Sequence, residues 1–174
     1  MLSISFRWSY LTAVLLAGSI APGRAFPQGA TERAEFVGEY RGVRYTAEHA
    51  YGYTFELWRV NGKPVGLWAR VEGFTDPSPT VRVADLELGP QGLVSFSAIF
   101  CDLQESFAGA LSDKNLKGTV TLTGRKGRFD SKIVDLIRDE HPGIAASLPV
   151  AEWNFLIEGR LRRGAPDCRT LPTG

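Results

Sequence analysis

Apolar side chains recur at every second position through most of the segment 36–124, and this period constrains the fold more than any other feature. The alternating runs are about eight to ten residues long, and Gly, Pro, Asn and Asp separate them. A period of two is typical of strands with one buried face, and short turns between such strands indicate an antiparallel meander. We therefore predict seven strands, at residues 36–46, 51–60, 64–73, 79–88, 92–101, 105–111 and 115–124.

Face matching gives the expected register of the second and third strands. Their apolar residues share a face only if the loop between them has an odd number of residues. The segment 60–62, Val-Asn-Gly, fits as a three-residue turn with its Gly in the left-handed conformation. This register pairs Leu57 with Val65 and Phe55 with Leu67.

The sixth and seventh strands need an even loop, because the alternate residues of 107–111 and 116–120 must share a face. Asp113-Lys114 supplies it, either alone or widened to 112–115. In the fourth strand the apolar phase slips near position 84. This slip predicts a β-bulge at Ala84-Asp85, because one extra residue turns every later side chain to the other face.

The pattern changes after residue 124. Asp130-Ser131 can cap a short helix that runs through Ile137. Residues 151–162 fit a strand or a helix, and the helix would carry Gly159 in its interior at a cost of about 1 kcal/mol relative to Ala. We favour the strand because its alternation is cleaner, and it would be the eighth. The expected fold is an all-β antiparallel up-and-down barrel of about eight strands with a short helix near the C-terminal end.

Residues 1–25 have the three parts of a cleavable secretory signal. Arg7 supplies the positive flank, residues 10–21 form an apolar stretch, and Ala25 ends a cleavage site of small residues. The apolar stretch is too short for a spanning helix, which needs roughly 20 residues. We therefore expect a secreted or periplasmic protein with no membrane span after cleavage.

The mature chain has roughly 150 residues, a natural size for one domain. We expect an N-terminal lead at 26–35, a β-barrel domain at 36–163 and a C-terminal tail at 164–174. The chain has two cysteines, Cys101 and Cys168, and both lie in the exported part. An oxidising compartment favours a disulfide between them, which would tether the tail.

Few residues suggest chemistry. The mature chain is close to neutral and has no large cluster of Lys and Arg, which argues against a nucleic-acid partner. The two histidines are His49 and His141. Adjacent residues rarely converge on one ion, so we interpret 139–141 as solvated charge at a helix end rather than as a metal site. No nucleophile or phosphate-loop motif occurs, and we expect no catalytic residue and no cofactor.

Glu56 and Glu72 could form an acid–base pair if both pointed into a cavity. The alternation places them on the face opposite the apolar set, and hence in water. A general acid needs burial to raise its pKa, so catalysis by this pair is not expected.

The segment Phe36-Val-Gly38-Glu-Tyr40 resembles the opening strand motif of the lipocalin family, in which a Gly is followed two residues on by Trp. Tyr40 takes the place of that Trp. The meander, a helix before the last strand, and a disulfide from mid-barrel to the C-terminal tail also resemble the family. The resemblance implies a barrel that binds small apolar molecules in its interior.

Aromatic side chains are concentrated in the first three strands. Those on the apolar face either fill the core or line a pocket for a flat or apolar ligand. Trp58 and Trp68 are out of phase with their neighbours, so they either cover the outer surface, against the helix, or form a patch that contacts a partner. The candidate ligand-binding residues are Tyr40, Tyr53, Phe55, Leu67, Phe96 and Phe100.

Two functions are consistent with these patterns. The first is an exported, non-enzymatic binding protein with a small-molecule pocket inside its barrel, which requires a cavity of at least about 300 Å³. The alternative is an exported interaction or inhibitor module that binds another protein through its surface. It requires a filled barrel and an exposed apolar patch around Trp58 or Trp68.

Overall fold

A computed structural model describes residues 32–73, 78–125, 127–166 and 168, apart from the side chain of Phe129. The signal expected in residues 1–25 and most of the lead at 26–35 lie outside the described residues. The strands are β1 (Arg33–Tyr45), β2 (Ala50–Val60), β3 (Lys63–Glu72), β4 (Thr80–Arg82), β5 (Ala84–Leu88), β6 (Leu93–Phe100), β7 (Leu103–Leu111), β8 (Asn115–Gly124), β9 (Gly127–Arg138) and β10 (Ser147–Pro149). A 3₁₀ turn spans Pro90–Gly92, and one α-helix, α1, spans Val150–Arg163.

The strands form an antiparallel, nearly closed barrel, as the sequence predicts. Its sheet order is β4-β3-β2-β1-β9-β8-β7-β6-β5, and β10 pairs with the first residues of β1. Only Val83 separates β4 from β5, so these two strands are the halves of one bent strand. The first half pairs with β3 and the second with β6. This bent strand closes the barrel between β3 and β6. When it is counted as one strand and β10 is left aside, the barrel has the expected eight strands.

The predicted bulge is present where the bent strand changes partner. Asp85 has a φ of 52°, and the register with β6 shifts between Ala84 and Glu87. The amide N–H of Val83 donates to the carbonyl of Gly66 at 3.0 Å, which continues the contact with β3. The bulge therefore lets a single strand bond to two neighbours in succession.

The expected register of the β7–β8 hairpin is confirmed, with Leu111 opposite Leu116 across the wider of the two loops considered. The expected β2–β3 register is wrong. Val60 pairs with Lys63, and Leu57 lies opposite Gly66, so the turn has two residues rather than three. These two are Asn61 and Gly62, with φ values of 50° and 78°. Asn-Gly favours this tight turn because both positions need positive φ.

The new register changes which face the side chains of β3 occupy. Leu57 packs inside the barrel, whereas Val65 and Leu67 pack outside it. Trp68, opposite Phe55, therefore points inward and Leu67 points outward. A shift of one residue reverses every side chain of a strand, and this is the effect seen here.

The helix and the last barrel strand are interchanged relative to the prediction. The segment expected as a helix is β9, in which Val134 and Leu136 face the core while Ile133 is 90% exposed. The segment favoured as a strand, 151–162, is most of α1. Trp153 and Ile157, one turn apart, form its buried face.

Charge at both ends of the segment favours the helix. Glu152 lies in the first turn, and Arg160, Arg162 and Arg163 lie in the last, an order that complements the helix dipole. The strand interpretation placed Phe155 on the apolar face, yet this side chain is 78% exposed. The i, i+4 spacing of the buried pair was the correct signal.

Two apolar clusters stabilise the fold. The larger one fills the barrel and includes the rings of Phe55, Trp68 and Phe96. The smaller lies between α1 and the outer face of the sheet, where Trp58 meets Trp153. The predicted disulfide Cys101–Cys168 joins the end of β6 to the tail, with a Cα–Cα distance of 5.4 Å.

Phe96 offers a direct test of the filled interior. Phe96→Ala should lower the free energy of unfolding by about 3–5 kcal/mol, because the ring contacts three other aromatic rings and leaves a cavity when removed. Ile99→Ala on the same strand removes a side chain that is 57% exposed and should change it by less than about 0.5 kcal/mol. Urea unfolding measures both, and equal losses would contradict the assigned faces of β6.

Candidate functional site

Five of the six candidate ligand-binding residues lie together inside the barrel, and the sixth does not. Leu67 packs outside, under α1. The five interior residues are Tyr40, Tyr53, Phe55, Phe96 and Phe100.

The interior residues fill the space that a ligand would occupy. Phe96 stacks on Phe55 and on Phe107, each with ring centroids 5.0 Å apart, and meets the edge of Trp68 at 5.2 Å. Tyr53 stacks on Trp68 at 4.8 Å. These are packing distances for aromatic rings, so the predicted pocket residues form a ring cluster of the core.

The two out-of-phase tryptophans are both buried. Trp58 lies on the outer face of β2 under α1, in contact with Phe36 and Trp153, which is the first of the two alternatives considered for it. Trp68 points into the barrel. Neither can form the exposed patch that the surface hypothesis required.

A groove lies instead where β1 meets β9. These strands pair only through Tyr40 with Arg138 and Arg41 with Ile137. After Arg41, β1 continues to Tyr45 without pairing to β9. In the part of the chain that the structure describes, residues 132–136 of β9 likewise have no partner on β1. The gap between them belongs to a groove of about 1670 Å³, open to solvent. We call it the seam groove and define it by residues 41–45 of β1, 132–137 of β9, and Arg160 and Arg163 of α1.

Successive residues of both strands line the seam groove. Residues 50–54 of β2 also line it, although β2 is paired on both sides. What sets β1 and β9 apart is that their shared ladder ends at Arg41 and Ile137. Beyond these two residues the backbone edges of both strands face the groove.

Two glycines accompany the separation of the strands. Gly52 of β2 has a φ of 146°, and a Cβ there would lie 2.1 Å from the carbonyl oxygen of Gly42. A Cβ on Gly42 would lie 2.5 Å from Leu136 Cδ2. Only glycine permits these approaches, so at Gly42 the strand β1 lies close to both β2 and β9, next to the point where the ladder with β9 ends.

Two buried carboxylates lie beside the seam groove. Glu39 and Glu56 are opposite each other on β1 and β2, and each is 3% exposed. Arg41 Nε donates to Glu39 Oε1 at 2.6 Å and lies 3.4 Å from Asp139 Oδ2. Burial raises the pKa of the Glu39 carboxyl, the bond from Arg41 opposes this, and the charge of Glu56 adds to the rise.

Glu56 joins the helix to the sheet. Arg160 Nη1 donates to its Oε2 at 2.8 Å and Arg160 Nη2 donates to its Oε1, while Trp58 Nε1 donates to Oε2 at 3.4 Å. The bond to Glu56 raises the pKa of Arg160. Bidentate pairing of this kind fixes geometry as well as charge, so the last turn of α1 is fixed beside the groove.

The structure corrects the expectation for Glu56 and Glu72. Glu56 is on the outer face as expected, but it is buried under α1 rather than in water. Its carboxylate neighbour is Glu39, which the sequence did not single out. Glu72 lies five positions along the sheet, opposite Tyr51, and receives a bond from Arg70. Glu56 and Glu72, which the sequence analysis considered and did not favour as a pair, therefore lie apart.

A third buried carboxylate, that of Glu105, lies inside the barrel and is 1% exposed. Trp68 Nε1 donates to its Oε2 at 2.6 Å, and Arg70 Nη1 is 3.5 Å from its Oε1. Burial raises the pKa of Glu105, opposed by these two partners. Burial together with the Glu105 charge raises the pKa of Tyr53 to about 12. Glu105 is two residues before Phe107 in β7, so the alternation places both on the same face. This was the available sequence signal that Glu105 lies inside the barrel.

Other expected features are located as follows. Within the described residues no three His, Cys, Asp or Glu side chains are grouped to hold a metal ion. The His141 amide donates to Asp139 Oδ1 at 2.9 Å. No helix of the described part is long and apolar enough to cross a membrane.

Comparison of the chain with known protein families, characterised proteins and solved structures finds no match.

The contact between α1 and the sheet can be tested at Arg160. Arg160→Met should lower the free energy of unfolding by roughly 3 kcal/mol, because Glu56 stays buried without a counter-charge. Arg162→Met, on an exposed side chain paired with Glu158 at 3.1 Å, should cost less than about 1 kcal/mol. Adding Glu56→Gln to Arg160→Met should recover part of the loss in urea unfolding. Equal effects of the two single changes would contradict a buried ion pair.

The raised pKa of Glu105 predicts a pH dependence. The folded state holds this proton more tightly than the unfolded chain, so the proton's stabilising effect is complete below the usual Glu pKa and is lost as pH rises through the raised value. The unfolding free energy of the wild type relative to Glu105→Gln should therefore fall as pH rises from about 4 toward neutrality. Urea titrations of both proteins measure this difference, and a constant or rising difference would refute the assignment.

Proposed function

We propose that this protein is an exported, non-enzymatic binding protein that contacts another polypeptide through the seam groove. The observation that carries the proposal is the end of the β1–β9 ladder at Arg41 and Ile137, which leaves the facing backbone edges of residues 42–45 and 132–136 without a partner strand in the described part of the chain. Exposed apolar side chains border the opening, with Tyr45 on β1 and Ile133 and Ile137 on β9. Apolar residues grouped beside a groove are typical of contact sites.

The packing of the interior favours the surface over a pocket in the barrel. A ligand inside would have to displace the rings stacked on Phe96. The cost of opening such a cavity in a close-packed core is several kcal/mol. The interior small-molecule pocket implied by the lipocalin resemblance stays a prediction, and ligand retained by the natural protein in native mass spectrometry would support it.

Export is supported by two independent features. The residues 1–25 have the composition of a secretory signal. Cys101 and Cys168 form a disulfide, and both described cysteines are thereby used. Structural disulfides are stable in oxidising compartments, so the pairing is consistent with a periplasmic or secreted protein.

A binding role accounts for the charged residues beside the groove without catalysis. Glu39 and Glu56 are almost inaccessible, and each carboxylate is bonded to an arginine. A general acid must reach the substrate, whereas these groups bond to the protein itself. Their contacts position Arg41 and Arg160 beside the groove.

Site-specific photocrosslinking in the natural host tests the proposal. A photoreactive phenylalanine analogue at Ile133, in the seam groove, should form a discrete crosslinked species with an exported protein. The same analogue at Ile99 is the matched control, because Ile99 is an exposed isoleucine on β6 outside the groove. Identical products at both positions, or none at Ile133, would count against the seam groove as the binding site.

A further inference from the structure

The backbone hydrogen bonds show which groups of β1 face the seam groove. The carbonyl of Glu39 accepts from Asp139 at 2.8 Å, on the β9 side, whereas the amide of Thr46 donates toward β2. Successive residues of a strand direct their backbone groups to alternate sides. Val43 and Tyr45 therefore direct both N–H and C=O into the gap.

Backbone hydrogen bonds also fix the alternation on β9. The amide of Arg138 donates to Lys114 beside β8 at 2.8 Å, and that of Asp139 donates to β1. Ile133 and Asp135 are in the same alternation as Asp139, so their N–H and C=O groups also face the gap. In the described part of the chain none of these four residues has a ladder partner across the seam.

The edge of β1 away from β2 has three parts, two with different partner strands and one with none. β10 pairs with its start, at Arg33 to Glu35, and β9 pairs with its middle. Its last residues, through Tyr45, have no partner on this side. An open edge is a template for another strand, and proteins commonly protect such edges. Here neither a bulge nor a proline protects the open part of either edge.

We infer that the seam groove binds an extended acidic segment of another exported protein by β-strand addition. The inference rests on the proposed function and adds the conformation and charge of the partner. Main-chain hydrogen bonds to the N–H and C=O of Ile133, on the open edge of β9, supply the pairing, as in other cases of strand addition. The exposed side chains of Tyr45 and Ile133 contact alternate side chains of the added strand.

The charge of the groove selects an acidic partner. Its basic side chains are Arg41, Arg44, Lys132, Arg160 and Arg163, and its acidic ones are Glu39, Glu56 and Asp135.

The acidic side chains of the groove are already paired. Glu39 is bonded to Arg41, Glu56 to Arg160, and Asp135 to Lys117 at 2.9 Å. Arg44 and Arg163 form no ion pair within the described residues, so they are available to a carboxylate. A second copy of this chain would bring its own Arg44 and Arg163 to the same edge, where like charges repel.

A capped eight-residue peptide tests the inference with defined chemistry. The probe alternates Glu with Thr or Val, carries fluorescein, and is titrated with the mature disulfide-bonded protein at low salt. Fluorescence anisotropy should show saturable binding. A peptide with Lys in place of Glu, and one with N-methyl groups on every second amide, should each bind at least about fivefold more weakly, the loss expected for one net hydrogen bond or charge contact.

Ile133 separates backbone pairing from side-chain contact. Ile133→Pro removes only an N–H that faces the seam, so the ladder with β8 is retained and proline is tolerated there. This variant should bind the Glu peptide about fivefold more weakly. Ile133→Ala keeps the N–H and is the matched control, and it should retain tighter binding than the proline variant. Circular dichroism and urea unfolding confirm that both variants are folded.

The charge contribution has its own control. Arg44→Glu and Arg163→Glu should each weaken binding, and the effect should shrink as salt is raised. Arg162→Glu makes the same change on α1 outside the groove and should leave binding unchanged.

Three results would overturn strand addition. They are no binding of the Glu peptide, equal binding of the N-methylated peptide, or equal binding by Ile133→Pro and Ile133→Ala. If any of these occurs while photocrosslinking at Ile133 still captures an exported partner, strand addition fails but the groove remains the binding site. If crosslinking also fails, the proposed function fails with it. Concentration-dependent dimerisation through the groove, seen by sedimentation, would replace the acidic segment with a second copy.

Discussion

The stack of aromatic rings around Phe96 is the interaction on which the rest of the structure depends. Phe55, Trp68 and Phe107 contact this ring from three other strands and fill the barrel from wall to wall. A barrel of eight strands is just wide enough for side chains to meet across its interior. Large rings meet there, and the seam groove lies in the barrel wall between β1 and β9.

The barrel wall closes differently on its two sides. On one side the bent strand formed by β4 and β5 bonds to β3 and then to β6, so the sheet is continuous. On the other side β1 bonds to β9 through only two residue pairs. The ladder ends beside Gly42, where β1 lies against both Gly52 and Leu136. The open seam beyond it supplies the backbone donors and acceptors on which the proposed binding depends.

Buried charge is the second organising feature. Glu56 and Arg160 fix the last turn of α1 at one end of the groove, and Glu39 holds Arg41 beside it. Glu105 is inside the barrel, bonded to Trp68. Each of these carboxylates is costly to bury and is retained with a specific partner, which orients the side chain that it contacts. The arginines at the groove are consequently held in defined positions.

The sequence by itself determined the fold class, the strand positions between 36 and 124, the bulge at Ala84-Asp85 and the Cys101–Cys168 disulfide. These features depend on the period of two, on its phase and on the cysteine count, all of which are local or compositional. Five of the six pocket candidates were correctly placed on the inner face for the same reason. The exception, Leu67, follows from the turn at Asn61-Gly62, where the preference of Asn-Gly for a two-residue loop outweighed the apparent match of apolar faces.

Only the tertiary structure decided which C-terminal segment is the helix and where binding can occur. Ile133 and Trp153 both occur in segments whose apolar pattern suits strand or helix, and packing against β8 or against Trp58 decides between them. The burial of Glu39 and Glu56 depends on α1 lying over the sheet, a long-range contact without a local signal. The seam is likewise defined by the absence of pairing between strands far apart in the chain. No periodicity within either strand encodes that separation, because it depends on how two strands that are distant in the sequence are placed against each other.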